Sequence, residues 1–337
     1  METARTVLVL LTLMVAGICA RHWGKKIFIT YGQYFLALGL MLTSYADSYS
    51  LLIMALMITG IGGGFTEALI NPLVVDLHAE DSGKYLNIAN AFYPIGVMAG
   101  ALIFGELLTL GYSWRLMFRI AGIGALIMGV LFHISRFPTP IEAEHSSAHV
   151  ISDILRQPGF WLFAAAIFLG AGVESSFTFW GRSYVETYLA DVPRAGAIAV
   201  VIFAGTMAVG RLLSARLSEF MSLRTLMMRS AILGVLVSSA ILFTNSLIAF
   251  YILLALAGFA AACFWPTILA EADACLSVDT TMLFVMLACF GIAGFGHTPW
   301  IMGVMGDSAG LKAGFLVIPG LFIGLILVLT LERRIPN

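Results

Sequence analysis

Three ionisable side chains stand deep inside apolar runs of this 337-residue chain: Glu67 in the run 51–76, Glu174 in 159–183 and His297 in 280–305. A charged side chain at the centre of a bilayer costs roughly 2.5–3.5 kcal/mol by insertion scales, and more by simulation. A carboxylate kept at that cost either hydrogen-bonds a neighbouring segment or exchanges a proton, because protonation removes the penalty. On a helix Gly60, Gly63, Glu67 and Asn71 share one face. The glycines are expected to let a neighbouring backbone approach closely, and the face as a whole suits the wall of a polar cavity. Glu174 comes with Ser175, Ser176, Thr178 and Trp180. That set can hydrogen-bond a polyhydroxylated solute while the ring stacks on its apolar face, or it can bond helix to helix. His297 can relay a proton or serve as a packing residue. Asn90 and Tyr93, about one turn apart, can line the same space.

A second group of charges sits towards the ends of the runs. Arg182 and Glu186 are spaced for a local i,i+4 ion pair. Glu106 is placed to partner Arg115 or Arg119. Arg211, Arg216 and Glu219 form one candidate gate, and Asp76, Glu80 and Asp81 opposite Lys25 and Lys26 form another. Charge clusters of this kind hold one conformation closed and part in the other.

The elements that position these residues follow from composition. Sixty per cent of the chain is hydrophobic, only 11% is charged, and the mean hydropathy is +0.98. A soluble domain carries about 25% charged residues, so most of this surface must face lipid. About 20 apolar residues of helix cross a bilayer core. Runs of that kind fall at 6–20, 27–45, 51–76, 85–110, 114–134, 159–183, 195–214, 225–243, 247–270, 280–305 and 313–331. The expected fold is an all-α membrane protein of eleven spanning helices. The polar stretch 135–158 reads as a linker between 1–134 and 159–337. Lys and Arg favour cytoplasmic loops. Arg21, Lys25, Lys26, Lys84, Arg136, Arg156, Arg216, Arg224, Arg333 and Arg334 collect on one side and only Arg5, Arg115, Arg194 and Lys312 on the other. The C-terminus is therefore expected in the cytoplasm.

Other classes fit poorly. A net charge of -1 offers nothing to nucleic acid. Cys19, Cys263, Cys275 and Cys289 lack ligand spacing, so neither a metal nor a disulfide framework is expected. The apolar runs hold no His-x-x-x-His, Gly-x-Ser-x-Gly or paired-Asp motif that would arm an intramembrane enzyme. GIGGGF at 60–65 lacks the third glycine and the preceding strand of a dinucleotide loop. No cofactor is expected.

Residues 17–26, GICARHWGKK, resemble the loop signature G-x-x-x-D-R-x-G-R-K of the major facilitator superfamily. Gly17, Gly24, Lys25 and Lys26 match, while Arg21 stands where the acid belongs and His22 where the Arg belongs. GRLLSARLSEFMSLR at 210–224 resembles the weaker echo of that signature after the family's eighth helix. Counted this way, the eleven runs are family helices two to twelve, and the resemblance implies two pseudo-symmetric halves with the first helix lacking. Glu67-x-x-x-Asn71-Pro72, SGKYLNIANAF at 82–92, Gly172-Val173-Glu174 with Trp180 and Tyr184, Gly210-Arg211, Pro266-Thr267-Ile268 and PWIMGVMGDSAG at 299–310 resemble the fucose–galactose–glucose:proton symporters. Pro94 departs from that pattern.

The resemblance implies proton-coupled symport of a sugar or similar small polar solute by alternating access, with Glu67 aligned on the coupling carboxylate of the family's fourth helix. A drug:proton antiporter of the same fold and a non-transporting paralogue are the alternatives. The partners expected are the solute, protons and the bilayer. The chain is expected to act as a monomer in a bacterial inner membrane. It also implies a reading frame that begins upstream of Met1, with one further span bearing an Asp, Asn or Glu.

Overall fold

The computed structural model describes residues 2–138, 147–189 and 193–332. Helices follow one another as α1 (Glu2–Trp23), α2 (Lys25–Tyr45), α3 (Tyr49–Leu77), α4 (Ser82–Thr109), α5 (Trp114–Ile134), α6 (Ser147–Arg156), α7 (Pro158–Tyr188), α8 (Pro193–Leu217), α9 (Leu223–Phe243), α10 (Leu247–Ala262), α11 (Phe264–Cys275), α12 (Thr280–Ala309), α13 (Leu311–Phe315) and α14 (Val317–Glu332). Among the described residues there are no strands. Among the described residues ten helical stretches are long and apolar enough to cross a membrane, with α10–α11 and α13–α14 each forming one stretch, and Leu8–Trp23 is a shorter apolar helix. The eleven expected runs each fall on helix. Arg333 and Arg334 of the charge count lie outside the described residues.

Helix ends follow local chemistry. Ser48, Ser113, Ser222 and Ser246 each accept a backbone N–H in the first turn of the helix that follows, which satisfies a donor the helix itself cannot. Pro158 opens α7, where its missing N–H costs nothing. The break between α10 and α11 has a similar cause. Pro266 has no N–H to give the Ala262 carbonyl four residues earlier, and the helix ends at Ala262.

The described chain forms two compact units. One comprises Met1–Ala79, Ile103–Arg156 and Val278–Cys289; the other comprises Glu80–Leu102, Gln157–Ser277 and Phe290–Asn337. In the first, α2 packs against α3 and α5, and α1 against α3. The α2–α3 contact depends on glycine. A Cβ on Gly62 would stand on the Gly32 carbonyl oxygen and the Leu36 nitrogen, and one on Gly39 would lie 2.6 Å from the Thr59 nitrogen. Gly64 plays the same part against α1, with Thr12 Cβ 3.0 Å away. Gly63, expected to be one of the close-approach glycines, has open space instead: nothing lies within 4 Å of its Cβ position. A 3.6-residue repeat turns consecutive glycines to different faces, and the neighbour-facing ones are Gly62 and Gly64.

The linker 135–158 is partly helical. Its residues 139–146 lie outside the described residues, but Ser147–Arg156 is an amphipathic helix that buries Val150 and Ile154. Arg21 donates to Ser147 Oγ at 3.3 Å and pairs with Asp279 at 3.4 Å, so this helix is tied to the end of α1. In the second unit α10 packs on both α8 and α9, α14 packs on α7 and α9, and α7 packs on α8 and α11.

Candidate functional site

The second unit holds a buried ion pair built on two prolines. Arg211, on α8, is 2% exposed and Glu174, on α7, is 6% exposed. Arg211 Nη2 donates to Glu174 Oε2 at 2.8 Å, Nη1 to the Asn90 carbonyl at 2.6 Å, and Nε to the Ala262 carbonyl at 3.2 Å. Both carbonyls lie four residues before a proline, Pro94 inside α4 and Pro266 inside α11. Proline has no N–H to claim the carbonyl of residue i−4, so each prolyl ring frees an acceptor and Arg211 takes it. The Tyr93 ring, 47% exposed, lies 5.8 Å from the same guanidinium, within cation–π range. One side chain thus joins α4, α7, α8 and α10.

Two more contacts fasten α4 in this unit. Asn87, fully buried, donates through Nδ2 to Thr267 Oγ1 at 3.1 Å and to the Gly83 carbonyl at 2.8 Å, while its Oδ1 has no hydrogen-bond partner. Lys84 Nζ lies 2.7 Å from Glu219 Oε1, and Arg216 bonds the other oxygen of that carboxylate. The hydrogen bond from Lys84 holds the Glu219 carboxyl below its ordinary value, with the charges of Arg216 and Lys84 adding to it against partial desolvation.

Elsewhere in this unit Trp180 Nε1 donates to the Pro299 carbonyl at 2.9 Å, which joins α7 to α12. His297 is exposed, and its Nδ1 lies 2.8 Å from the Ala293 carbonyl one turn back. Asn90 also donates through its side chain to the Leu86 carbonyl at 2.8 Å. Arg182 and Glu186 make the expected i,i+4 pair at 2.7 Å.

The first unit holds Glu67, half-buried, and Asn71, buried one turn further along α3. Gly63, one turn before Glu67, fronts open space on the same face. Lys25 Nζ pairs with Asp76 Oδ2 at 2.6 Å, and Lys26 donates to the Ser135 carbonyl at 2.9 Å. Arg115 bonds Asp47 at 2.7 Å and the Ala46 carbonyl at 3.0 Å, so its acidic partner is Asp47 and not the expected Glu106. Arg119 lies over the Tyr45 ring. Among the described residues no cluster of His, Cys, Asp and Glu has metal-binding geometry.

Residues 1–193 match the family model described as Major Facilitator Superfamily, which is more than half of the chain. The chain belongs to the major facilitator superfamily. This facilitator is 22% identical over 312 residues to "Membrane protein MosC" of Rhizobium meliloti, covering 92% of this chain and 75% of the relative. It is 30% identical over 120 residues to the MFS-type efflux transporter ffsH of Aspergillus flavipes, covering 34% of this chain and 21% of that one. Its fold is like that of the fucose:proton symporter FucP of E.coli, with a TM-score of 0.84 at 19% identity over 99% of this chain and 90% of that one. The facilitator is an integral membrane transporter of small solutes, not an enzyme, and its fold is the major facilitator fold.

Within the facilitator the structure brings Glu174, Asn90, Tyr93 and Arg211 together. It separates Arg211 from Arg216, which the sequence groups with it in one candidate gate: Arg211 is buried on Glu174, and the Arg216 side chain is 68% exposed beside Glu219. Asn87, Thr267 and Lys84 escaped the reading of the sequence as site residues. Polar side chains evenly spaced along α4 (Lys84, Asn87, Asn90) were the available signal, and Pro94 and Pro266 marked the free carbonyls.

Proposed function

We propose that this transporter is a proton-coupled symporter of a sugar or similar small polar solute, working by alternating access between the halves 1–134 and 159–337. The observation that carries the reading is Glu67. It is a half-buried carboxylate well inside α3, on the face that Gly63 leaves open. Protonated, it loses the desolvation cost of a charge and permits the loaded protein to reorient; ionised, it restrains it. Asn71 stands on the same face. In the second unit Asn90, Tyr93, Glu174, Trp180 and His297 supply amide, phenol, carboxylate, indole and imidazole groups of the kinds that contact a polyhydroxylated solute.

Lys25–Asp76 and the Lys84–Glu219–Arg216 cluster serve as gates that part during the cycle, and Arg211 is the buried counterpart of the second. The Lys and Arg bias supports a cytoplasmic side for their loops and the C-terminus, and the membrane we propose is a bacterial inner membrane. The resemblance to sugar symporters in the residues around Glu67, and a fold like that of a fucose:proton symporter, support this reading. A second reading, drug:proton antiport, is favoured by the relative named as an efflux transporter.

Proteoliposomes under an inward proton gradient separate the two. Symport requires accumulation of labelled fucose, galactose or glucose that a protonophore abolishes. Proton-driven movement of ethidium with no accumulation of any sugar would replace symport with antiport. Labelling in intact cells tests the orientation. Ser48→Cys and Asn245→Cys should react with an impermeant maleimide while Arg136→Cys stays protected, and the reverse pattern would invert the topology.

A further inference from the structure

In the second unit α9 carries an exposed cation that has no part in the transport cycle proposed above. Arg229 lies in α9, seven positions into a membrane-spanning helix counting Leu223 as the first. Among the described residues it forms no ion pair, and its Nη1 lies 4.0 Å from the sulfur of Met221. That contact directs the guanidinium towards the N-terminal end of α9. Helical side chains lean towards the N-terminus of their helix, and Arg229 reaches back over two turns to a residue in the loop before α9. Its charge therefore sits at the membrane face, where headgroups lie, while its stem runs along the apolar helix.

Beside it is a cleft of about 340 Å³ between α8 and α9, which both pack on α10. Leu213 and Leu217 form the α8 wall, Leu233 and Ser230 continue the α9 wall from Arg229, and Phe259 of α10 lies at the floor. The wall residues follow helical spacing, so the cleft runs along the helices from a charged mouth into an apolar trough. The acid closest in sequence to this end, Glu219, is already bonded by Lys84 and Arg216.

We propose that this cleft binds an anionic phospholipid, its phosphate on Arg229 and one acyl chain along Leu213, Leu217 and Leu233 above Phe259. The charge complements a phosphodiester, the trough complements a hydrocarbon chain, and the order of the two along the helix axis matches a lipid lying in its own leaflet. Basic pockets between spanning helices recognise lipid headgroups in this way.

The test is native mass spectrometry of the detergent-purified full chain, titrated with phosphatidylglycerol and with phosphatidylcholine of the same acyl chains. The wild type should retain at least threefold more phosphatidylglycerol. Arg229→Gln should abolish that preference, and Arg229→Lys should keep most of it. Leu233→Trp, which fills the trough, should reduce retention of both lipids. Arg156→Gln, a basic residue of the other unit, should change nothing. Equal retention of the two lipids by the wild type, or an undiminished preference in Arg229→Gln, would overturn the proposal. A species of doubled mass carrying no lipid would assign the cleft to a second copy of the chain.

Discussion

Arg211 and Asn90 are joined through a backbone oxygen that a proline four residues further on leaves unclaimed. The same relation links Arg211 to Ala262 through Pro266. A buried guanidinium has five N–H donors to satisfy, and here two acceptors come from interrupted helices and a third from Glu174. The pair is therefore solvated by the fold as well as by its counter-charge. Removing one partner of a buried ion pair costs about 3–5 kcal/mol, because the other charge is stranded. Glu174→Gln leaves Arg211 its two carbonyls, whereas Arg211→Gln leaves the Glu174 carboxylate without its cation, so the second change should be the costlier. The double variant should be less destabilised than the sum of the singles, with a coupling of about 1–3 kcal/mol. Unfolding of the four proteins in mixed micelles measures this, and strict additivity would remove the pairing.

Pro94→Ala tests the proline half of the argument. Replacing a proline inside a helix ordinarily favours the helix by about 3 kcal/mol. Here alanine supplies the N–H that claims the Asn90 carbonyl and competes with Arg211 Nη1. The expected gain in thermal stability is therefore small or reversed. A large gain, close to that of an ordinary helix position, would show that the freed carbonyl does nothing for Arg211.

The glycine-rich stretch of α3 shows what the sequence makes legible and what it hides. The spans were readable because each must be long and apolar to cross hydrocarbon, a property carried by every residue in the run. Which of Gly62, Gly63 and Gly64 meets a neighbour depends on how α3 is rotated against α1 and α2, and no local pattern states that rotation. The same limit applies to Arg211. It was visible as a charge in α8, but its distance from the loop and its pairing with Glu174 required the tertiary packing. The prolines at 94 and 266 were the unread clue. Gly62→Ala should destabilise by about 1–3 kcal/mol, since its methyl must displace the backbone of α2. Gly63→Ala should be neutral to mildly stabilising, as nothing stands within 4 Å. Equal effects at the two positions would contradict the α2–α3 packing.

Glu219 gives a pH dependence with a definite sign. Its carboxyl titrates below the ordinary 4.5 because Lys84 bonds the ionised form. A carboxylate lowered on folding contributes stability that is fully present above the unfolded value and is lost as pH falls through the folded one. The melting temperature of the wild type should therefore exceed that of Glu219→Gln at pH 7, and the gap should close as the pH drops below about 4.5. A gap that widens in acid would mean that the contact is not ionic.

Glu67 is the residue on which proton coupling turns. Glu67→Gln is nearly isosteric with the protonated acid and cannot ionise. If the carboxylate carries the coupling proton, the variant is fixed in the state that reorients when loaded. Exchange of labelled for unlabelled solute across the membrane then persists, because it needs reorientation but no release of a proton. Uphill accumulation under a proton gradient falls to the level of empty liposomes. Glu67→Asp retains a titratable group about one methylene further from the site and should keep part of the uphill activity. The two assays must be run on one preparation, so that loss of both is recognised as loss of fold. A Glu67→Gln protein that still concentrates solute would move the coupling site elsewhere. Glu174 would then be the next carboxylate to test, since it is the buried acid of the second unit and already has a counter-charge from which a proton can release it.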